Sequence, residues 1–177
     1  DAYPHAASLQ DLAAQTASAL QAKGVTSAAL AYDATLFGGP AWNPYWPPTF
    51  ATSVAPITAL TVDHARPDLK TWARSADPAK LAADSFAAQL AAHGITVTGT
   101  AAAPTPEDAT QLAAVESLPL GVLVERTLGD SDNAAAETLL WHVALARGQA
   151  ATPDAAAGVL IAELKRRGID VPKSDSR

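Results

Sequence analysis

One unit recurs along the chain and limits the folds that it can adopt: a helix that ends at glycine and leads into a β-branched residue. It occurs at Lys23-Gly24-Val25, His93-Gly94-Ile95 and Arg167-Gly168-Ile169. Glycine suits the left-handed position that follows a helix, and β-branched residues favour strands. The pattern therefore predicts a mixed α/β chain. Because this connection is generic, both a true internal duplication and a coincidence of turn chemistry stay open.

Capping residues and the spacing of apolar side chains locate the helices. Ser8, Asp77 and Thr152 have the side chains of N-caps, and proline follows the last two at the first helical position. Helices are therefore predicted to begin at these three residues. Two more are expected over about 119–128 and 134–147, where apolar residues recur at helical spacing.

Three strands are predicted in the first part of the chain. They cover 25–37, 54–62 and 95–100, and the last alternates β-branched and polar residues like a half-buried strand. Strands and helices are thus mixed in the first part of the chain, whereas the later part is mostly helical. This shift predicts a domain boundary near residue 115.

Composition excludes several classes of function. The net charge of −6 leaves no broad basic surface, so nucleic acid is not expected as a partner. The chain has no cysteine, which excludes disulfides, thiolate metal sites and cysteine nucleophiles. No apolar run reaches the roughly 18 residues that span a bilayer. Since the sequence contains no methionine, Asp1 is not a translation start, and we expect a piece of a longer or processed protein.

Histidine spacing gives no sign of a metal site. No two histidines lie four residues apart as in a zinc-binding helix, and Asp63 and His64 are expected to point to opposite faces of a strand. We therefore predict neither a metal site nor a cofactor. The four histidines are His5, His64, His93 and His142.

Aromatic residues cluster in a proline-rich stretch over 42–50. Its rings could offer flat faces to a sugar or peptide, with Trp42 and Trp46 as candidate substrate-binding residues. Alternatively, the loop folds back as a lid and its rings supply core volume that an alanine-rich chain lacks. The second interpretation is favoured, and the first stays open.

Serine chemistry has one candidate position. No G-x-S-x-G elbow occurs, no serine is followed three residues later by lysine, and Lys70-Thr71 is followed by tryptophan rather than glycine. Ser131-Asp132-Asn133 remains, between two predicted helices. Such a tripeptide usually caps a helix, but a Ser-x-Asn element in this setting also occurs in penicillin-recognising enzymes.

A longer pattern around this tripeptide resembles a known family. The chain is similar to the class C low-molecular-mass penicillin-binding proteins, which are D-alanyl-D-alanine carboxypeptidases/endopeptidases that trim peptidoglycan stem peptides. The similarity runs along nearly the whole chain in the order of that family. The segments that carry it are 37–42 with Asp33 before it, 55–63, 114–120, 123–126, 131–133 and 136–137.

The resemblance implies an α/β (α+β) architecture in two parts. Residues 1–111 would be an inserted domain of mixed sheet and helix, and residues 112–177 the helical portion of a transpeptidase/β-lactamase-like catalytic domain. It also implies an exported, extracytoplasmic hydrolase of the cell envelope. Peptidoglycan stem peptides and β-lactams would be its partners, and it would need no cofactor.

The resemblance further assigns roles within the tripeptide. Ser131 would relay the proton to the leaving D-alanine, Asn133 would hold the substrate's peptide carbonyl, and Asp132 would serve the helix start. The family's S-x-x-K nucleophile and K-T-G strand are absent from the sequence, and residues 174–177 stand where the family has a stretch like D-G-S-G-L-S-R. Two alternatives stay open: a non-catalytic peptidoglycan-binding domain that uses 42–50, and a scaffold domain in which Ser131 is a helix cap.

Overall fold

The computed structural model describes residues 6–171, so His5 and the tail at 174–177 lie outside the described residues. It contains five α-helices, two strands and two short 3-10 turns, at Pro48–Thr52 and Asp63–Ala65. The predicted α+β class is confirmed. Among residues 6–171, none of the helices has the length and hydropathy needed to cross a bilayer. The regular elements are α1 (Leu9–Gln21), β1 (Ser27–Tyr32), α2 (Pro78–Ala92), β2 (Thr96–Ala102), α3 (Leu120–Gly129), α4 (Asn133–Ala146) and α5 (Pro153–Arg166).

The predicted helix starts are confirmed by their hydrogen bonds. The side chains of Ser8, Asp77 and Thr152 accept from the backbone amide three residues later, at 3.0, 2.9 and 3.3 Å. Gly24 and Gly94 have φ of +73° and +82°, the left-handed conformation that ends α1 and α2. Local capping chemistry therefore sets where these helices begin and end.

Two of the recurring units pack side by side. Strand β1 pairs in parallel with β2, from Ser27 opposite Thr96 to Tyr32 opposite Ala102. Helices α1 and α2 pack against each other, and α2 also packs against both strands. The third unit, at 167–169, leads into no strand within the described part of the chain. The buried residues that join α1, α2 and β2 are Ala13, Ala17, Leu90 and Ile95.

The predicted strand over 54–62 is wrong. Residues 54–62 are irregular, although Val54 and Ile57 are buried. Pro56 lacks the N–H that a central strand needs, and the amide of Ile57 donates to the carbonyl of Ala41 at 2.7 Å. The apolar side chains pack against helices instead of facing a second strand. The strand predicted over 25–37 also ends early, at Tyr32.

A second core joins this irregular segment to the C-terminal helices. Val54 and Ile57 pack with Trp141 and Ala144 of α4 and with Ala156 of α5. This core therefore holds α4, whose first residue is Asn133, against residues that lie far earlier in the sequence. The domain boundary near 111 and 112 stays a prediction.

Asp33 closes the end of the sheet. Its Oδ1 accepts hydrogen bonds from the hydroxyl and the amide of Thr35 at 2.6 and 2.9 Å, and its Oδ2 accepts from the amide of Thr105 at 2.7 Å. These bonds hold the pKa of Asp33 well below its usual range, and the bond from the Thr35 hydroxyl has the largest effect. The ionised carboxylate therefore fastens the end of β1 to the chain that follows β2.

This linkage predicts an acid-sensitive contribution to stability. A carboxylate whose pKa is lowered by folding stabilises the fold at pH values above about 3.9, the pKa of an unfolded aspartate. This contribution disappears as the pH falls through the pKa of the carboxylate in the folded state. We expect the difference in free energy of unfolding between wild type and Asp33→Asn to shrink as the pH falls from 5 to 2. Urea denaturation at each pH measures it, and a constant difference would contradict the linkage.

Candidate functional site

Ser131 lies in the turn that ends α3. The amide of Asp132 donates to the carbonyl of Thr127 at 3.0 Å and that of Ser131 to Leu128 at 3.4 Å, the two bonds of a Schellman motif. Ser131 has φ +53°, the left-handed position that glycine usually occupies in this motif. A residue with a Cβ costs about 1–2 kcal/mol there. Serine is thus present at a position where glycine would be less strained.

Asp132 is the cap of the next helix. Its Oδ1 accepts from the amide of Ala135 at 3.0 Å, as expected for the N-cap of α4. The interpretation of Ser131 as the cap is therefore wrong, because the neighbouring carboxylate does this work. Ser131 and Asn133 are both exposed, and within residues 6–171 neither side chain makes a hydrogen bond. Both are available to a ligand.

Ser131 and Asn133 line the same groove, which has a volume of about 390 Å³. The structure therefore brings together the two residues that the sequence singles out. Five residues that precede α2 in the sequence form another wall, and Trp72 among them is 75% exposed. The complete lining is Thr52, Ser53, His64, Trp72, Arg74, Asp130, Ser131, Asp132 and Asn133.

Arg74 ties two segments of this wall together. Its guanidinium donates to the carbonyl of Ser53 at 3.0 Å through Nη2 and to the carbonyl of His64 through Nη1. Partial burial lowers the pKa of Arg74, the nearby Arg66 lowers it further, and Asp132 opposes both effects. The Arg66 guanidinium lies 6.0 Å from the Trp72 ring centroid, at the limit of a cation–π contact. Besides Ser131 and Asn133, the groove is therefore lined by one guanidinium, that of Arg74, and by the exposed indole of Trp72.

His64 faces the tripeptide directly. Its Nδ1 lies 3.4 Å from Oδ2 of Asp132, so it pairs with this residue rather than with its neighbour Asp63. The pair also borders an apolar cavity of about 430 Å³ between residues 55–64 and helices α3 and α4. No sequence pattern pointed to His64, Trp72 or Arg74, because nothing in their spacing relates them to residues 131–133.

The other two histidines of the described residues, His93 and His142, do not line this groove. His142 packs edge-on against Phe37, with ring centroids 5.4 Å apart, and His93 follows the last residue of α2. Among residues 6–171, no three side chains of histidine, aspartate or glutamate lie close enough to hold a metal ion.

The aromatic loop packs on the protein. Trp42 and Trp46 meet edge to face at 5.4 Å, and Trp46 packs against the second core. The hydroxyl of Tyr45 lies 3.4 Å from a carboxylate oxygen of Asp154 on α5. This geometry favours the lid interpretation, and neither tryptophan lines the groove at Ser131. Substrate contact through Trp42 and Trp46 stays a prediction.

Comparisons with known proteins point to one family. The profile of the D-Ala-D-Ala carboxypeptidase 3 (S13) family matches residues 64–175, more than half of the chain. Carboxypeptidase DacB of Mycolicibacterium smegmatis is 30% identical over 172 residues, and Carboxypeptidase Rv3627c of Mycobacterium tuberculosis is 33% identical over the same length. Each alignment covers 95% of this chain but 36% of the relative. The chain thus spans about a third of the length of these relatives.

Proposed function

The chain belongs to the D-Ala-D-Ala carboxypeptidase 3 (S13) family, and we propose that it supplies the Ser-x-Asn element of a serine-type D-Ala-D-Ala carboxypeptidase/endopeptidase. The whole protein trims peptidoglycan stem peptides through an acyl-enzyme. The observation that carries the proposal is the exposure of Ser131 and Asn133 to one groove, with Asp132 alone used to cap the helix.

The chemistry of acyl transfer gives each side chain a role. A serine nucleophile needs a base, and the leaving amine needs a proton when the peptide bond breaks. The hydroxyl of Ser131 can accept and donate in turn, so it relays a proton from the base to the departing D-alanine. The carboxamide of Asn133 donates a hydrogen bond to the substrate's peptide carbonyl and fixes its position. Both roles require side chains without a competing intramolecular partner.

The proposal requires further parts of the protein. The sequence contains neither an S-x-x-K nucleophile nor a K-T-G strand, so both lie elsewhere in a longer chain. The length of the matched relatives supports this requirement, since the alignments leave most of each relative uncovered. Because stem peptides are found outside the cytoplasm, the whole protein is extracytoplasmic. β-Lactams, which imitate the acyl-D-Ala-D-Ala terminus, acylate its nucleophilic serine.

Labelling with a fluorescent penicillin tests this division of the active site. We expect the full-length protein to be labelled covalently and the 177-residue chain to remain unlabelled, because an ester forms only on an activated serine. The readout is fluorescence after denaturing gel electrophoresis, with heat-denatured full-length protein as the control. Labelling of the 177-residue chain would contradict the placement of the nucleophile, and an unlabelled full-length protein would contradict the proposed function.

A further inference from the structure

We infer that His64 is a positioning residue for Ser131 and Asn133, which acts through Asp132 and acts most strongly when its imidazole is protonated. The consequence for catalysis rests on the proposed function. The contact between His64 and Asp132 does not depend on the proposed function, so the contact and its catalytic consequence can be tested separately.

One carboxylate has two partners at this point. Oδ1 of Asp132 accepts from the amide of Ala135 and holds the start of α4, while Oδ2 faces Nδ1 of His64 at 3.4 Å. Asp132 stands between Ser131 and Asn133 in the sequence, so a change in its orientation is transmitted to both neighbours. The side chain of Asp132 is 20% exposed and that of His64 is 53% exposed. The pair is therefore open to solvent protons on the histidine side.

The backbone of His64 is held firmly on its other side. Residues 63–65 all have left-handed φ, between +50° and +57°, a conformation that persists only where the surroundings enforce it. Ala65 is fully buried, its carbonyl accepts from the amide of Ser75 at 2.7 Å, and Arg74 donates to the carbonyl of His64. The imidazole thus projects toward Asp132 from a fixed turn.

Groups of both signs surround the imidazole. Asp132 faces it from the junction of α3 and α4, Asp130 lines the same groove, and Asp63 precedes it in the turn. Arg74 contacts its backbone carbonyl, with Arg66 close enough to lower the pKa of Arg74. Of these groups, Asp132 pairs with the ring itself, and Arg74 contacts the backbone of the same residue.

The strength of the contact depends on the charge of the ring. At 3.4 Å the two atoms are farther apart than in a good hydrogen bond, so attraction between charges supplies most of the contact. A protonated imidazole donates from both nitrogens, whereas a neutral one attracts Asp132 only if its hydrogen is on Nδ1. The orientation of residues 131–133 is therefore expected to be more restricted when the imidazole is protonated, at acidic pH.

NMR titration of the 177-residue chain tests the contact without any assay of activity. We expect the amide resonances of Ser131 and Asn133 to shift with the same midpoint as the ring protons of His64. His64→Gln should abolish these shifts, while the matched control His93→Gln leaves them unchanged. Shifts of Ser131 and Asn133 that persist in His64→Gln, or that do not follow the ring of His64, would overturn the inference.

Kinetics of the full-length protein test the catalytic consequence. Since a solvent-exposed ion pair has a small effect, we expect His64→Gln to lower kcat/KM about 2- to 5-fold at pH 6 and to leave it unchanged at pH 8. His64→Lys, which keeps the charge, should restore activity at pH 6 and remove the difference between the two pH values. In Asp132→Asn, whose amide oxygen can still cap α4, His64→Gln should have no added effect. Equal losses at both pH values would indicate a purely structural role and contradict the inference.

The two experiments separate the inference from the proposed function. If Ser131 and Asn133 titrate together with His64 but the full-length protein is inactive, the proposed function is contradicted and the contact between His64 and Asp132 is not. An active protein in which Ser131 and Asn133 titrate independently of His64 contradicts the inference alone.

Discussion

Replacement of Ser131 by glycine is expected to make the chain more stable and the full-length protein less active. Ser131 occupies the left-handed position of a Schellman motif, where a Cβ costs about 1–2 kcal/mol. Glycine removes this strain but adds about 0.5–1 kcal/mol of backbone entropy to the unfolded chain. We therefore expect the free energy of unfolding to rise by about 0.5–1 kcal/mol.

Activity should change in the opposite direction. Loss of a group that relays a proton typically lowers the rate by about 100-fold or more. Urea denaturation of the chain and kcat/KM of the full-length protein toward an acyl-D-Ala-D-Ala peptide measure the two effects. Ser131→Ala is the matched control, because it removes the hydroxyl and keeps the strain, so it should lose activity without a gain in stability. Full activity in both variants would contradict a catalytic role for Ser131.

Truncation of Trp141 to alanine is expected to cost about 3–5 kcal/mol of stability. Trp141 is fully buried in α4, and its indole packs edge-on against Phe37 at 5.1 Å. Its Nε1 donates to a carboxylate oxygen of Glu137 at 2.9 Å, so the substitution also leaves that carboxylate without this partner. The side chain joins α4, the helix that begins at Asn133, to Val54 and Ile57.

Urea denaturation measures the loss at Trp141, and Trp72→Ala is its matched control. Trp72 is 75% exposed, so its truncation should change the free energy of unfolding by less than about 0.5 kcal/mol. A loss below about 1 kcal/mol in Trp141→Ala would show that α4 is held by other contacts.

The helices could be predicted closely because their limits depend on neighbours in the sequence. Ser8, Asp77 and Thr152 each bond an amide three residues away, and the glycines after α1 and α2 take the left-handed conformation. Such bonds form wherever the local residue types allow them. The sequence therefore located the five helices of residues 6–171 to within a few positions.

The segment 54–62 shows where sequence patterns are insufficient. Its apolar residues are consistent with a buried strand, and Val54 and Ile57 are indeed buried, but their neighbours are helices. Whether a short apolar run pairs with a strand or fills a gap between helices depends on distant residues. The burial of these side chains could be predicted from the sequence, whereas the absence of pairing with another strand could not.

The candidate site also contains some residues that could be predicted from the sequence and others that could not. Ser131 and Asn133 could be found from the tripeptide and its setting between two helices. His64 and Arg74 come from a turn and a loop whose positions depend on tertiary contacts with residues far away in the sequence. The structure also confirms that Asp132 serves the start of α4, as the resemblance implied.

The most direct test of the Ser-x-Asn element is a crystal structure of the full-length protein acylated by a penicillin. We expect the Asn133 amide to lie within hydrogen-bond distance, about 3.2 Å, of the side-chain amide carbonyl of the penicillin, with the Ser131 hydroxyl directed toward the acylated serine. An adduct bound elsewhere, with Ser131 and Asn133 facing only solvent, would contradict the proposed function.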